Sequence, residues 1–234
     1  MQERETSIMA SPAALAEVIA HCLGMPVSSL VWYDRQLADG GLRTRSGRGR
    51  YGAQVSARDA ANLLTAILGG GQVKDAIATV QRYSATIPHM PTSTKGRFTA
   101  LGVQSLTRLP AKHSFLDALE ALLQSLADGS LSLEPPGPSK RPQRHVGSTP
   151  LIEVAALTPG TVGDIRISLA SGASANVRYA LPNPFSRKAP ISDKESVSWQ
   201  ARIKVQAASD LEQFRKVTDR TVLAISQLLA ASSP

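Results

Sequence analysis

Aromatic residues, cysteine and long apolar runs are all scarce in this sequence. Aromatics make up 4% of the 234 residues, too few for the row of stacking side chains that binds single-stranded nucleic acid. The single cysteine, Cys22, excludes an internal disulfide and a cysteine-based zinc site. No apolar run approaches the length of a membrane span, and the first residues lack the basic-then-apolar layout of a signal peptide. We therefore expect a cytoplasmic protein with no membrane partner.

Acidic residues are fewer than basic residues, and this imbalance indicates which kind of molecule the protein binds. The chain has 26 lysines and arginines against 18 acidic residues, a formal net charge of +8, and its pI is about 10.0. Such an excess favours polyanionic partners, either nucleic acid or an anionic membrane surface. The apolar content of 42% is ordinary for a globular protein, and the length allows one large or two small domains.

The residue types that carry catalysis are not grouped in the sequence. The four histidines are scattered along the sequence, with no two of them close together. The triplet Gly69-Gly70-Gly71 lacks the lysine and hydroxyl residue that follow in a phosphate-binding P-loop. Cys22 falls on the apolar face of a predicted helix, where we expect a small core residue. We therefore expect neither an enzyme nor a bound metal or cofactor.

Two short helices joined by a three-residue turn are predicted near the start of the chain. Residues 11–23 predict a helix capped by Ser11, and the run Gly24-Met25-Pro26 ends it. Residues 27–39 predict a second helix. Its buried face would consist of Leu30, Tyr33 and Leu37. This is the layout of a helix-turn-helix.

The stretch that follows is basic and rich in glycine. Residues 42–56, LRTRSGRGRYGAQVS, contain four arginines and no acid. Leu42 would anchor a first strand and residues 51–55 would return as a second, around a flexible tip. A small hairpin directly after a helix-turn-helix is a wing. Because the arginines repel one another, their clustering indicates contact with an anion outside the chain.

Residues 15–52, LAEVIAHCLGMPVSSLVWYDRQLADGGLRTRSGRGRYG, carry a resemblance to a known group of proteins. Together with the predicted helix opened by Ser56-Ala57-Arg58-Asp59, the stretch over about residues 11–70 resembles winged helix-turn-helix regulators. It is similar to the MerR type through Val31-Trp32-Tyr33-Asp34 and Gly41-Leu42, and to regulators of phages and mobile elements. The resemblance implies a DNA-binding domain over residues 1–71 and a role in transcription regulation.

The candidate DNA-binding residues lie on the second helix and on the wing. Helical geometry turns the helix residues away from the core, as a recognition helix in a major groove requires. Wing arginines would contact phosphates or the flanking minor groove. The full set is Ser28, Ser29, Trp32, Arg35, Arg43, Arg45, Arg48, Arg50 and Tyr51. The alternative interpretation is an ordinary surface helix followed by a solubilising loop.

The remainder of the chain falls into three predicted segments. Residues 72–133 predict a helical region, and residues 134–150 a basic, proline-rich linker. Residues 151–234 predict an α+β domain for self-association or partner binding, with strands in LIEVAAL, DIRISLA, ANVRYAL and SVSWQARIKVQ and a helix over 210–231. The predicted fold class is α+β: an N-terminal winged helix-turn-helix, further helices, then a small antiparallel sheet with a long C-terminal helix.

Together these features predict a sequence-specific protein for double-stranded DNA, acting as a transcriptional regulator. We expect it to form a homodimer or a higher homo-oligomer, because two-fold symmetry fixes half-site spacing on DNA. One alternative is a DNA-packaging or replication-initiation subunit similar to a small terminase subunit. The other is a protein-interaction module whose basic loop contacts an acidic partner. The sequence points to no small-molecule effector.

Overall fold

The computed structural model describes residues 10–44, 54–89, 97–133, 151–182 and 213–231. Within these ranges the helices are α1 (Pro12–Leu23), α2 (Val27–Asp39), α3 (Ala57–Leu68), α4 (Ala76–Ser84), α5 (Gln104–Thr107), α6 (Phe115–Ala127) and α7 (Asp219–Ala230). The strands are β1 (Ile87–His89), β2 (Leu151–Thr158), β3 (Val162–Ser168), β4 (Ser174–Ala180) and β5 (Gln213–Thr218). Short 3₁₀ turns occupy Val73–Asp75 and Phe98–Leu101. The fold class is α+β.

The five strands form one antiparallel sheet in the order β1-β4-β3-β2-β5. Residues alternate between a buried and a solvent-facing side, most regularly along β4, as a sheet covered on one face requires. The predicted strands in LIEVAAL, DIRISLA and ANVRYAL are confirmed as β2, β3 and β4. The outer face carries ion pairs across neighbouring strands, such as Arg178 with Asp164.

The helices cover one face of this sheet. α3 and α7 contact β2, α6 contacts β3, and α1 packs on α7 and α2. Tyr83 of α4 is fully buried and donates a hydrogen bond of 3.0 Å to the carbonyl oxygen of Leu157 in β2. One hydrophobic cluster extends from α1 to β5 and α7. The predicted segments therefore share a core within the described residues, and their division into domains stays a prediction.

The N-terminal helices begin and end where the sequence indicates. Ser11 Oγ accepts a hydrogen bond from the Ala14 amide, and Pro12 occupies the first turn of α1. Gly24 ends α1 in the left-handed conformation with φ of 65°, which glycine adopts at low cost. α2 spans 27–39 and buries Leu30, Tyr33 and Leu37 as predicted.

The prediction of a C-terminal helix over residues 210–231 is wrong at its N-terminal end, where the structure has a strand. Residues 213–218 form β5, and α7 begins only at Asp219. Phe214 and Thr218 stand at helical spacing in the sequence, which favours a helix through both. In the structure Phe214 is 60% exposed, while Val217 is buried against β2. Backbone pairing with β2 outweighs a weak helical period in so short a segment.

Several predicted elements lie outside the described residues. They are most of the wing, including Arg45, Arg48, Arg50 and Tyr51, the linker over 134–150 and the predicted strand in SVSWQARIKVQ.

Among the helices in the described ranges, none is both long and apolar enough to cross a membrane.

Candidate nucleic-acid interface

The outer face of α2 carries the side chains predicted to contact DNA. Ser28 and Arg35 are exposed, Trp32 is 54% exposed, and Ser29 is half-buried. This arrangement follows from helical periodicity, because Leu30, Tyr33 and Leu37 occupy the opposite face and hold α2 on the core. We therefore define the outer face of α2 as Val27, Ser28, Val31, Trp32 and Arg35.

Arg35 and Trp32 form a cation–π pair on this face. The guanidinium carbon of Arg35 lies 5.1 Å from the centroid of the Trp32 ring, one helical turn away. At an exposed site such a pair contributes about 0.5–1 kcal/mol, which restricts the arginine to fewer rotamers. Its guanidinium makes no hydrogen bond or ion pair to any other described residue. Arg35 therefore presents a full set of donors outward from a partly fixed position.

The same face is unusually apolar for a surface helix. Val27 and Val31 are each 43% exposed, and with Trp32 they account for three of the four large exposed hydrophobic residues in the described part of the chain. Single exposed apolar residues need no explanation, but a cluster on one helix marks a contact surface.

Arg43 is more buried than expected for a wing arginine that contacts phosphate. Its Nε lies 3.1 Å from Oδ1 of Asp34 in α2, and the two side chains are only 20% and 15% exposed. The contact is ionic, because this N–H makes no hydrogen bond of good geometry within the described residues. Burial raises the pKa of Asp34; the charge of Arg43 lowers it and that of Asp59 raises it, and the net shift is upward. Arg43 thus fastens the start of the basic stretch to α2.

The carboxylate of Asp59 joins the two ends of the basic stretch. Oδ1 accepts hydrogen bonds from the Thr44 amide at 2.8 Å and from the Thr44 hydroxyl at 3.3 Å. Oδ2 accepts from the Ser56 amide at 2.9 Å and from the Ser56 hydroxyl at 2.8 Å. Asp59 is 4% exposed, so its carboxylate is shielded from water, while Thr44 and Ser56 lie at the surface. The chain therefore leaves the core at Thr44 and returns to it at Ser56, at the two oxygens of one carboxylate.

A second buried side chain of α3 supports the same junction. Asn62 Nδ2 donates to the Leu42 carbonyl oxygen at 2.6 Å, and Asn62 is 4% exposed. Asp34, Asp59 and Asn62 were all absent from the predicted site. The sequence held one signal for them, since Asp59 and Asn62 are polar residues on the inner face of an otherwise apolar helix.

The structure thus brings part of the predicted site together. It places Trp32 and Arg35 on one outer face and ties Arg43 to the same helix. Ser28 lies in the first turn of α2. The described residues contain no group of three or more histidine, cysteine or acidic side chains able to hold a metal ion.

No protein-family model matches the chain, and neither a curated protein nor a solved structure is significantly similar to it.

Proposed function

We propose that this protein binds double-stranded DNA sequence-specifically through an N-terminal winged helix-turn-helix and acts as a transcriptional regulator. One observation carries the proposal: the outer face of α2, with Arg35 over Trp32, adjoins a basic stretch whose two ends are held by the single carboxylate of Asp59. A wing needs this closure, because a hairpin leaves and returns to the body at neighbouring points.

In this proposal α2 lies in the major groove as the recognition helix. Arg35 donates to the O6 and N7 acceptors of a guanine, the commonest specific contact in such complexes. Val31 and the edge of Trp32 meet the apolar methyl groups of thymines. Ser28, in the first turn, hydrogen-bonds a phosphate, where the helix dipole favours negative charge.

The basic stretch supplies contacts that do not depend on sequence. Arg45, Arg48 and Arg50 follow one another with no acid between them, and their mutual repulsion is relieved when each faces a phosphate. Arg43 plays a different part here from the other three. Its ion pair with Asp34 positions the stretch beside α2, so that groove and phosphate contacts fall on the same segment of duplex.

A homodimer completes the proposal. One α2 reads only a few base pairs, and a two-fold pair of them reads two half-sites at a fixed spacing.

A second candidate is a protein-interaction module that uses the same face. The exposure of Val27, Val31 and Trp32 favours it, because apolar and aromatic side chains are enriched at protein interfaces. An acidic partner helix would satisfy both this apolar surface and Arg35.

The proposal is tested by fluorescence anisotropy of the full chain with duplex DNA over a series of salt concentrations. The variant Arg48→Ala/Arg50→Ala removes two charges from the basic stretch. The matched control, Arg166→Ala/Arg178→Ala, removes two charges from the outer face of the sheet, where each arginine pairs with an acid. Each lost phosphate contact lowers the slope of log affinity against log salt by about one.

We expect a weaker affinity and a slope reduced by about two for the first variant, with the control close to wild type. Equal effects of both variants would mean that only net charge matters, and the wing would be excluded. Absence of binding by the wild type at low salt, together with capture of an acidic protein through Trp32, would favour the interaction module.

A further inference from the structure

A cavity lies at the β1–β4 edge of the sheet. Its volume is about 190 Å³, and its apolar lining is formed by Pro88, Phe98, Leu106, Leu109, Pro110 and Val177. Phe98, Leu106 and Val177 are buried and make up its floor. None of these residues belongs to the proposed DNA interface, so the cavity calls for an explanation of its own.

The size and lining of the cavity define the body of a ligand. A dry cavity of about 150 Å³ lined by aliphatic and aromatic side chains takes up benzene. A slightly larger space suits one six-membered ring with a small substituent. The remaining lining residues, among them Thr99, Thr107 and Ala111, lie at the exposed mouth, so a polar substituent would point that way.

The mouth of the cavity is positively charged. Arg97 lines it, is exposed, and makes no hydrogen bond or ion pair through its guanidinium with any described residue. Arg108 and Lys112 lie in the α5–α6 connection, each next to lining residues in the sequence. The sequence has no acid between Asp75 and Asp117, and Asp117 is itself paired with Arg58. Among the residues that line the cavity, Arg97 is the one arginine, lysine or acidic side chain, and its charge favours an anionic substituent.

One polar wall of the cavity is already occupied by internal hydrogen bonds. His113 Nδ1 lies 2.6 Å from the Pro110 carbonyl oxygen, and Nε2 lies 2.8 Å from the hydroxyl of Tyr179. A carbonyl only accepts, so Nδ1 donates; in the neutral imidazole Nε2 then accepts the proton of the Tyr179 hydroxyl. Tyr179 is fully buried, and burial raises its pKa. Neither ring nitrogen is available as a base, so this wall shapes the cavity and does not carry out chemistry on a ligand.

We propose that this cavity binds a small apolar carboxylate, with a ring or branched hydrocarbon body against Phe98, Leu106 and Val177 and its carboxylate at Arg97. The site is independent of the proposed DNA interface.

The test is isothermal titration of the full chain with benzoate and with benzyl alcohol, which has a similar body and no charge. Arg97→Gln removes the charge at the mouth, and Ala111→Trp fills the mouth at an exposed position. Arg82→Gln, which removes a charge from α4, is the matched control. Circular dichroism melting of each variant verifies that it folds.

We expect wild type to bind benzoate more tightly than benzyl alcohol. Arg97→Gln should weaken benzoate binding about five- to tenfold and leave benzyl alcohol unchanged. Ala111→Trp should abolish both, and Arg82→Gln should change neither. Equal binding of the two probes by wild type, no binding of benzoate, or binding that persists in folded Ala111→Trp would each overturn the proposal. Arg97→Gln weakening DNA binding in a protein that ignores benzoate would assign this basic mouth to DNA instead.

Discussion

Replacement of Asp59 by alanine tests how the basic stretch is anchored. The carboxylate accepts four hydrogen bonds from Thr44 and Ser56 at 4% exposure. Ser56 remains the N-cap of α3, but loss of the reciprocal bonds that the Asp59 carboxylate accepts from Ser56 in the capping box costs about 1 kcal/mol. Loss of the two bonds to Thr44 costs about 1 kcal/mol each, because the acceptor is charged and shielded. We expect Asp59→Ala to lower the free energy of unfolding by about 3 kcal/mol, or Tm by about 6–12 °C for a chain of this size.

The chain provides a matched control in α6, which begins with the same motif. Ser114 and Asp117 form a capping box at the start of α6, as Ser56 and Asp59 do at the start of α3. Asp117→Ala loses the aspartate's half of that box and a half-exposed ion pair with Arg58, so its expected cost is about 1–2 kcal/mol. Both variants raise the net charge of the protein by one, but only Asp59→Ala removes the hydrogen bonds to Thr44.

Urea unfolding followed by circular dichroism measures the stabilities, and anisotropy measures duplex affinity at one salt concentration. Asp59→Ala should be the less stable variant and should bind DNA several-fold more weakly than Asp117→Ala, despite its equal net charge. If Asp59→Ala is no less stable than Asp117→Ala, then the bonds to Thr44 contribute nothing. Equal DNA affinities would show that anchoring the basic stretch has no part in binding.

Two further predictions concern the core and the pH dependence of stability. A Cβ added at Gly163 in β3 would overlap the ring of Phe115, so Gly163→Ala should lower the free energy of unfolding, measured in urea, by about 2–3 kcal/mol. The control is Gly160→Ala, whose added Cβ makes only ordinary van der Waals contacts and should lower that free energy little. Burial raises the pKa of Asp117, but hydrogen bonds from Ser114 and Arg58 outweigh it and leave that pKa lowered. Because the pKa of Asp117 is lower in the folded state than in the unfolded state, ionised Asp117 stabilises the fold at pH values above the unfolded-state pKa. This stabilisation is lost as the pH falls through the folded-state pKa. The unfolding free energy of wild type should therefore drop more steeply below about pH 4 than that of Asp117→Asn; parallel curves would contradict this.

Local signals in the sequence were sufficient for most helices and for three strands. Ser11, Ser56 and Ser114 each stand where a helix begins, because capping depends only on neighbouring residues. The periodic burial of Leu30 and Leu37 likewise follows from the helix itself. Short-range physics of this kind is readable without any knowledge of the tertiary structure.

The features that were missed depend on contacts between distant parts of the chain. β5 exists because its backbone pairs with β2, some sixty positions earlier along the chain, and nothing within residues 213–218 demands it. Arg43 was predicted to contact DNA with the other wing arginines, and nothing in the sequence indicated that Asp34 reaches it from α2. The hydrogen bonds from Thr44 to Asp59 and the cavity beside Phe98 also depend on residues far apart in the sequence, so the sequence did not predict them.

The central claim is that the outer face of α2 reads DNA sequence, and a selection from a pool of randomised duplexes tests it most directly. Wild type and Arg35→Ala are each taken through the selection, with Arg82→Ala as a charge-matched control. We expect an enriched motif for wild type and Arg82→Ala, and loss of a guanine preference in that motif for Arg35→Ala, worth about 1–3 kcal/mol at that position. No enriched motif for wild type, or the same motif from all three proteins, would contradict it.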